Sequence, residues 1–160
     1  MMGQAVSEKQ SRQLNVTLSD LMVLSEAEAV FLSDHGGNLI AYTTAAEADD
    51  TIYTIAALAA GSFSATRELA SLIKEPEFHS IFHQGEINSI YMQGIAKDIL
   101  ELVIFAKRTT AGLVKLYVEK AAKEIEPVIA QINSQSVETA AGPGKKLFEM
   151  KTDSDVFKKS

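Results

Sequence analysis

Two histidines, His79 and His83, come closest in this chain to the spacing of a metal site. Residues i and i+4 of one strand lie on the same face of a sheet, so both imidazoles could approach one ion. Zinc in proteins takes three or four protein ligands, and no third ligand is apparent in the sequence. The pair is better explained as polar residues on an edge strand, so we expect neither a metal nor a cofactor.

The glycine and serine patterns do not fit known catalytic motifs. The glycine-rich pieces, Gly36-Gly37 and Gly142-Pro143-Gly144-Lys145, match neither the GxGxxG fingerprint nor the phosphate loop that ends in GK[ST]. The run that contains Ser62 and Ser64 resembles a serine nucleophile motif, but it lacks the second glycine and falls inside a predicted helix. We interpret the first glycine pair as a turn and the second piece as a linker.

Paired carboxylates can act as general acid and base, and Asp49 with Asp50 is such a pair. They directly precede Thr51, where a helix is predicted to begin. Carboxylates at that place accept hydrogen bonds from free N–H groups and favour the positive end of the helix dipole. The sequence therefore contains no constellation able to make or break a bond, and we expect a regulatory protein whose function lies in its surfaces.

The composition is typical of one globular domain without disulfide bonds. The chain has 160 residues, of which 46% are hydrophobic and 22% charged, enough to bury a core without a metal or a disulfide. Cysteine is absent, which excludes disulfides and thiolate chemistry and suits a reducing compartment.

Charge and hydropathy exclude several kinds of partner. The first residues, MMGQAVSEKQSRQ, lack the apolar core of a secretory signal, and later apolar runs are too short to span a bilayer. We therefore expect a cytoplasmic protein without membrane insertion. The net charge is -6 and the 15 Lys and Arg residues are scattered along the chain, which argues against nucleic acid as a partner.

Hydrophobic periodicity predicts an α+β fold in which helices enclose a five-stranded antiparallel sheet, in the order α-β-β-α-β-β-β-α. Helices are predicted for residues 10–24 and 51–73 and from Thr109 or Thr110 past Pro127, which should bend the last one. Strands are predicted for residues 29–32, 39–43, 78–83, 89–95 and 99–106. The last of these is apolar apart from Glu101, as a central strand would be. Gly36 and Gly37 supply the positive backbone angles of the first hairpin turn.

The second predicted helix carries two sets of residues at helical spacing. The larger set is assigned to its inner side: Ile55, Leu58, Ser62, Leu69 and Leu72. Ala57, Gly61, Ser64 and Glu68 lie on the side turned away from it. A glycine within a helix costs roughly 1 kcal/mol relative to alanine. A close approach of another backbone would offset that cost; a solvent-facing helix with unconstrained side-chain size is the plainer alternative.

Four stretches, taken in order, resemble the Roadblock family and in particular its bacterial MglB-like branch: VFLSDHGGNLI, LAAGSFSATRELASLIKEPEF, FHQGEINSIYM and RTTAGLVKLYVEKAAKEI. The likeness covers Glu28 to about Ile129. It implies a homodimer in which the third strands pair across a two-fold axis, here around Ile81 and Phe82. Such pairing hides a sheet edge that would otherwise invite aggregation. It also brings the second helices together as a platform.

The same resemblance implies a function. MglB-like proteins bind a Ras-like small GTPase, MglA, on the platform and accelerate GTP hydrolysis in the control of cell polarity or motility, which extends the expected location to the cell pole. Carried over by position, the contact residues are Ala57, Gly61, Ser64, Ala65 and Glu68, with Arg67 close by. Ser64 and Glu68 depart from the usual small residues, and the Glu68 carboxylate either adds a charged contact or weakens the interface.

Some GTPase activators insert an arginine that stabilises the transferred phosphate charge. Of the three arginines here, Arg12, Arg67 and Arg108, the last opens the final helix and looks structural. The resemblance favours activation without an arginine finger, by preferential binding of the hydrolysis-competent GTPase conformation. A noncatalytic Roadblock dimerisation scaffold is the alternative; a small-ligand sensor would need a pocket that the sequence does not reveal.

The composition changes at Ser134. We assign residues 1–133 to the Roadblock-like domain and residues 134–160 to a flexible linker with a short C-terminal docking segment. The segment contains five apolar residues, too few to fold alone: Leu147, Phe148, Met150, Val156 and Phe157. It could bind a second site on the GTPase, and a disordered terminus explains it equally well.

Overall fold

The structure, a computed structural model, describes residues 6–140. This part of the chain contains α1 (Glu8–Ser25), β1 (Ala29–Asp34), β2 (Leu39–Thr44), α2 (Thr51–Leu72), β3 (Ser80–His83), β4 (Asn88–Ile95), β5 (Ile99–Ala106) and α3 (Ala111–Ala140). The type and order of the elements are those predicted from the sequence.

The five strands form one antiparallel sheet with the strand order β2-β1-β5-β4-β3. β5 is the central strand, as its apolar sequence predicts, and β2 and β3 are the two edges. In the middle of the sheet Glu101 lies between Leu32 of β1 and Gln93 of β4.

The helices form two layers around the sheet. α1 and α3 cover one face, where Leu18 and Ile125 are fully buried with Val30 and Val103 of the sheet. α2 covers the opposite face, which presents the alternate strand residues, among them Phe31 and Leu102. The larger core therefore lies between the sheet and the α1–α3 pair.

Hydrogen bonds between side chains and the backbone cap the first turn of α1. The Ser7 hydroxyl accepts a bond from the backbone N–H of Gln10 at 3.1 Å, and the Gln10 side chain accepts one from the N–H of Ser7 at 2.9 Å. This capping box satisfies donors that a helix start leaves free. The amide of Gln10 also donates to Gln135 Oε1 at 3.3 Å, so the start of α1 lies beside the last part of α3.

The predicted first hairpin is confirmed, with one difference in its turn. The Asp34 carboxylate accepts bonds from the backbone N–H groups of Gly36 and Asn38, each at 2.9 Å. Of the two turn glycines only Gly37 has a positive φ, 88°. Gly37 also passes close to α2, because a Cβ added to it would lie 2.9 Å from Cα of Ala57.

At the start of α2 the two aspartates have different roles. Asp49 Oδ1 accepts bonds from the backbone N–H of Thr51 at 2.9 Å and from its hydroxyl. These bonds lower the pKa of Asp49. Asp50 occupies the cap position but makes no capping bond with its side chain. The helix-start interpretation therefore holds for Asp49 alone.

β3 is shorter than predicted. It begins at Ser80, so His79 directly precedes the strand, and its backbone oxygen accepts a bond from the N–H of Gly94 in β4 at 3.3 Å. The strand predicted for residues 78–83 is therefore too long by two residues at its start. Among residues 6–140 no group of three or more His, Cys, Asp or Glu residues is arranged to hold a metal ion.

α3 is longer than predicted. Thr110 is the residue that caps it, because its hydroxyl accepts a bond from the N–H of Leu113 at 3.2 Å. The helix runs through Pro127 and on to Ala140. A linker that starts at Ser134 is thus wrong for residues 134–140, which continue the helix. The predicted docking residues Leu147, Phe148, Met150, Val156 and Phe157 lie outside the described part of the chain.

Candidate partner interface

The buried side of α2 differs from the side predicted. Its buried residues are Ile52, Phe63 and three alanines: Ala56, Ala60 and Ala70. Of the predicted inner residues, Ile55 and Ser62 are half-buried, and Leu58, Leu69 and Leu72 are exposed by 70%, 52% and 80%. The prediction was wrong because it assigned the larger aliphatic side chains to the core. Alanine allows the helix backbone to approach the sheet closely, and that contact determines the orientation of the helix.

The residues predicted to contact a partner are exposed on α2: Ala57, Gly61, Ser64, Ala65, Arg67 and Glu68. A Cβ added to Gly61 would meet no other atom within 4 Å. Packing within residues 6–140 therefore gives no reason for a glycine at this place. The small residues lie next to the three exposed leucines, so α2 presents an outward surface that is partly small and partly apolar.

Part of the sheet beneath α2 is also incompletely covered. Ile81, Ile90 and Ile104 pack against the core on the α2 side and are only partly buried. β3 pairs with β4 alone, so its other edge has no strand neighbour among the described residues. Ile81 lies on the α2 face, whereas Phe82 points to the opposite face and stacks on Phe105 with ring centroids 6.0 Å apart. The edge and the exposed leucines are unusual features for the surface of a monomer.

A cavity lies between the second half of α2 and the loop before β3. It has a volume of roughly 560 Å³, and its lining includes Ser64, Arg67, Glu68 and Glu77. The structure thus brings three of the predicted contact residues to one concave surface. Ala57, Gly61 and Ala65 lie on the same helix but do not line this cavity.

Arg67 is held by a residue that the sequence did not single out. Its Nη1 lies 3.0 Å from Nδ1 of His35 in the β1–β2 turn. Arginine has no acceptor, so Nδ1 accepts this bond and a neutral imidazole carries its proton on Nε2. Burial first, and the Arg67 guanidinium second, lower the pKa of His35. The ring of His35 also lies 5.8 Å from that of Phe63.

Arg108 has a structural role, as predicted. Its Nε donates to the backbone oxygen of Glu26 at 3.1 Å, just after α1, and its Nη2 lies 3.3 Å from the Glu28 carboxylate. The guanidinium therefore fixes the link between α1 and β1. Arg12 lies on α1, on the face of the sheet opposite α2.

The α2 surface carries no arrangement typical of catalysis, and no helix within residues 6–140 is both long and apolar enough to cross a bilayer. What the geometry offers is an exposed helix of small and apolar residues, a charged cavity at its second half and an open strand edge. Such a surface suits contact with other protein chains.

Comparison with known proteins gave one family and several solved structures. The model of the Roadblock/LC7 domain matches residues 14–105. The chain is similar to MglB of Myxococcus xanthus, with 34% identity and a TM-score of 0.73 over 79% of this chain and 95% of that one.

Two further structures are similar at 25% identity over the same shares of both chains. One is the gliding protein MglB of Thermus thermophilus, with a TM-score of 0.74, and the other is an MglB with a tetrameric arrangement, with a TM-score of 0.75. No curated protein matches the chain.

Proposed function

The chain belongs to the Roadblock/LC7 domain family, and from this premise we propose that it is a dimeric regulator that binds an MglA-like, Ras-like small GTPase and stimulates its GTP hydrolysis. The observation that carries the proposal is the similarity to Myxococcus xanthus MglB, which extends over 95% of that protein at 34% identity. The cellular role proposed with it is control of polarity or motility, in the cytoplasm and at the cell pole; the Thermus relative is described as a gliding protein.

The proposed homodimer forms through β3 and α2. A second copy related by a two-fold axis pairs its β3 with this β3 near Ile81 and Phe82, which joins two sheets into one and removes the open edge. The same operation brings the α2 helices together over the partly covered isoleucines. Complete burial of an exposed leucine contributes about 1.5–3 kcal/mol, so Leu58, Leu69 and Leu72 provide much of the driving force.

The proposed GTPase site is the small-residue part of α2 together with the cavity at its second half. Gly61 is central to this surface, because it costs roughly 1 kcal/mol of helix stability that no contact within the described chain requires. A partner backbone that packs against Ala57, Gly61 and Ser64 would require a residue without a side chain. Arg67 and Glu68 add one charge of each sign at the rim.

Stimulation without an arginine finger is consistent with the positions of the arginines. Arg108 is engaged by Glu26 and Glu28 at the link between α1 and β1. Arg12 lies on the face of the sheet opposite α2, and Arg67 is bonded to His35. We propose that the dimer binds the hydrolysis-competent conformation of the GTPase more tightly than other conformations, which shifts the population toward it.

The experiment is single-turnover GTP hydrolysis by an MglA-like GTPase with and without the protein, paired with binding to the GDP-bound and GTP-bound forms. We expect faster hydrolysis and tighter binding of the GTP-bound form. Binding that ignores the nucleotide, with hydrolysis unchanged, would instead identify a noncatalytic Roadblock scaffold.

A further inference from the structure

A groove runs along the outer surface between α1 and α3, on the face of the sheet opposite α2. Its wider end has a volume of roughly 410 Å³ and is lined by Val16 of α1 and Val128 of α3, with Lys9 and Arg12 on one side and Glu124 on the other. A narrow extension continues along the same two helices.

The groove is apolar and uncovered within residues 6–140. Val16 is 57% exposed although it lines the groove. The extension is lined by Leu24, also exposed, and by Tyr117. The two helices are antiparallel, because Gln10 at the start of α1 bonds to Gln135 late in α3. The groove therefore leads away from the end at which α3 stops.

The remaining chain is long enough to return to the groove. Val128 lies about 18 Å before Ala140 along α3, at the rise of an α-helix. Residues 141–146, when extended, span up to about 20 Å, so residue 147 can reach Val128. The next ten residues cover about 15 Å at helical rise, which matches the distance of about 16 Å from Val128 to Tyr117 along the helix.

The sequence of this segment complements the groove. Leu147, Met150 and Phe157 recur at spacings that place apolar side chains on one side of a helix. Between them, Glu149, Asp153 and Asp155 against Lys151 give a net charge of -2. Along both parts of the groove the charged lining residues are Lys9, Arg12 and Lys120 against Asp20 and Glu124, a net charge of +1.

We propose that residues 147–157 occupy the α1–α3 groove of their own chain, with Leu147 and Met150 against Val16 and Val128. The short connection favours the same chain over a second copy, because a tether of this length raises the local concentration of the segment to the millimolar range. Docking removes the apolar side chains of the segment and those of the groove from water. This inference is independent of the proposed GTPase, and any partner that binds the segment has to compete with the groove.

Trypsin digestion of the full-length protein tests the proposal through cleavage after Lys151. Proteolysis under native conditions follows the population of the undocked segment when docking is fast. Val16→Asp places a charge in the groove, and we expect cleavage about tenfold faster, the factor that corresponds to about 1.4 kcal/mol. Leu147→Asp should act equally, and the double variant should show no further increase, because both changes remove the same contact.

The matched control is Val23→Asp. Val23 lies on the same helix and is 69% exposed, but it does not line the groove. We expect its cleavage rate to equal that of the unchanged protein, with all variants keeping the same thermal unfolding midpoint. A Val16→Asp protein cut at the original rate, or a Val23→Asp protein cut just as fast as Val16→Asp, overturns the proposal.

Cross-linking then distinguishes one chain from two. The sequence has no cysteine, so Val16→Cys with Leu147→Cys introduces a unique thiol pair. With a short bismaleimide we expect a cross-linked monomer on a denaturing gel. Exposed Glu77 on the other side of the molecule gives the control pair, Glu77→Cys with Leu147→Cys, which should remain unlinked. A cross-linked dimer assigns the groove to the segment of a second copy and overturns docking within one chain, as does the absence of any cross-link from Val16→Cys.

Discussion

The guanidinium of Arg67 bonds to the imidazole of His35 at 3.0 Å and thereby ties the second half of α2 to the β1–β2 turn. The two residues are 32 positions apart in the sequence. The bond needs a neutral imidazole, and burial together with the Arg67 guanidinium lowers the pKa of His35, which favours that neutral form. The arginine nearest the proposed GTPase site is therefore a structural link between two elements as well as a surface residue.

We predict that Arg67→Ala leaves most of the stimulation of GTP hydrolysis intact. The side chain is held by His35, and the proposed mechanism depends on selective binding rather than on an inserted cation. Single-turnover hydrolysis at saturating activator is the measurement. A collapse of the hydrolysis rate with unchanged affinity for the GTPase would show that Arg67 acts as an arginine finger.

Gly61→Ala is expected to raise the free energy of unfolding and to lower the affinity for the GTPase. The added methyl meets no atom within 4 Å, so the helix should gain up to about 1 kcal/mol in the free energy of unfolding. The same methyl should weaken GTPase binding if a partner backbone packs there. Thermal unfolding and titration calorimetry measure the two effects.

Gly112→Ala, in the first turn of α3, is the control for this pair of effects, since its added Cβ also meets no atom within 4 Å. It lies outside the α2 surface and should leave the affinity unchanged. Equal affinities for the Gly61→Ala and Gly112→Ala proteins would remove Gly61 from the interface.

Leu69→Glu is expected to dissociate the homodimer without unfolding the chain. Leu69 is 52% exposed in the single chain, and a carboxylate buried at a two-fold contact would meet its own copy. Sedimentation at micromolar concentration should show monomer. Leu116→Glu on α3, where the leucine is 58% exposed, is the matched control and should remain dimeric. A Leu69→Glu dimer of unchanged strength contradicts the proposed contact, and an unmodified protein that is monomeric contradicts the dimer itself.

Glu101 should make the free energy of unfolding fall as the pH rises. Its carboxylate is fully buried with no hydrogen-bond partner among the described residues, and burial raises its pKa from 4.5 to about 8. The folded state thus retains a proton that the unfolded state has lost. The contribution of protonated Glu101 to the free energy of unfolding is fully present below about pH 4.5. It declines as the pH rises from there to about 8.

Glu101→Gln should abolish most of that dependence and stabilise the protein above pH 8 by a few kcal/mol, because each unit of pKa shift corresponds to about 1.36 kcal/mol. Urea unfolding at a series of pH values is the measurement. Exposed Glu119 provides the control: Glu119→Gln should leave the slope unchanged. A Glu101→Gln protein with the original slope would assign the pH dependence to other groups.

The part of the site that could be predicted depends on local rules. Ala57, Gly61 and Ser64 were identified as exposed because helical spacing groups them, and the structure confirms the exposure. The buried side of α2 is harder to predict, because apolar residues lie on two sides of this helix. Helical periodicity cannot decide which side is buried when one offers Ile52 and Phe63 and another offers Leu58 and Leu69. Long-range packing against the sheet decides it, and that contact favours alanine.

The sequence by itself determined the order of helices and strands, the first hairpin and the central place of β5, because these follow from periodicity, turn residues and capping groups within a few positions of one another. The tertiary structure alone decided which face of α2 is outward, that Arg67 meets His35, and that Glu101 is buried with no hydrogen-bond partner among residues 6–140. Each of these depends on atoms brought together from distant segments, and the packing that brings them together is a property of the whole domain.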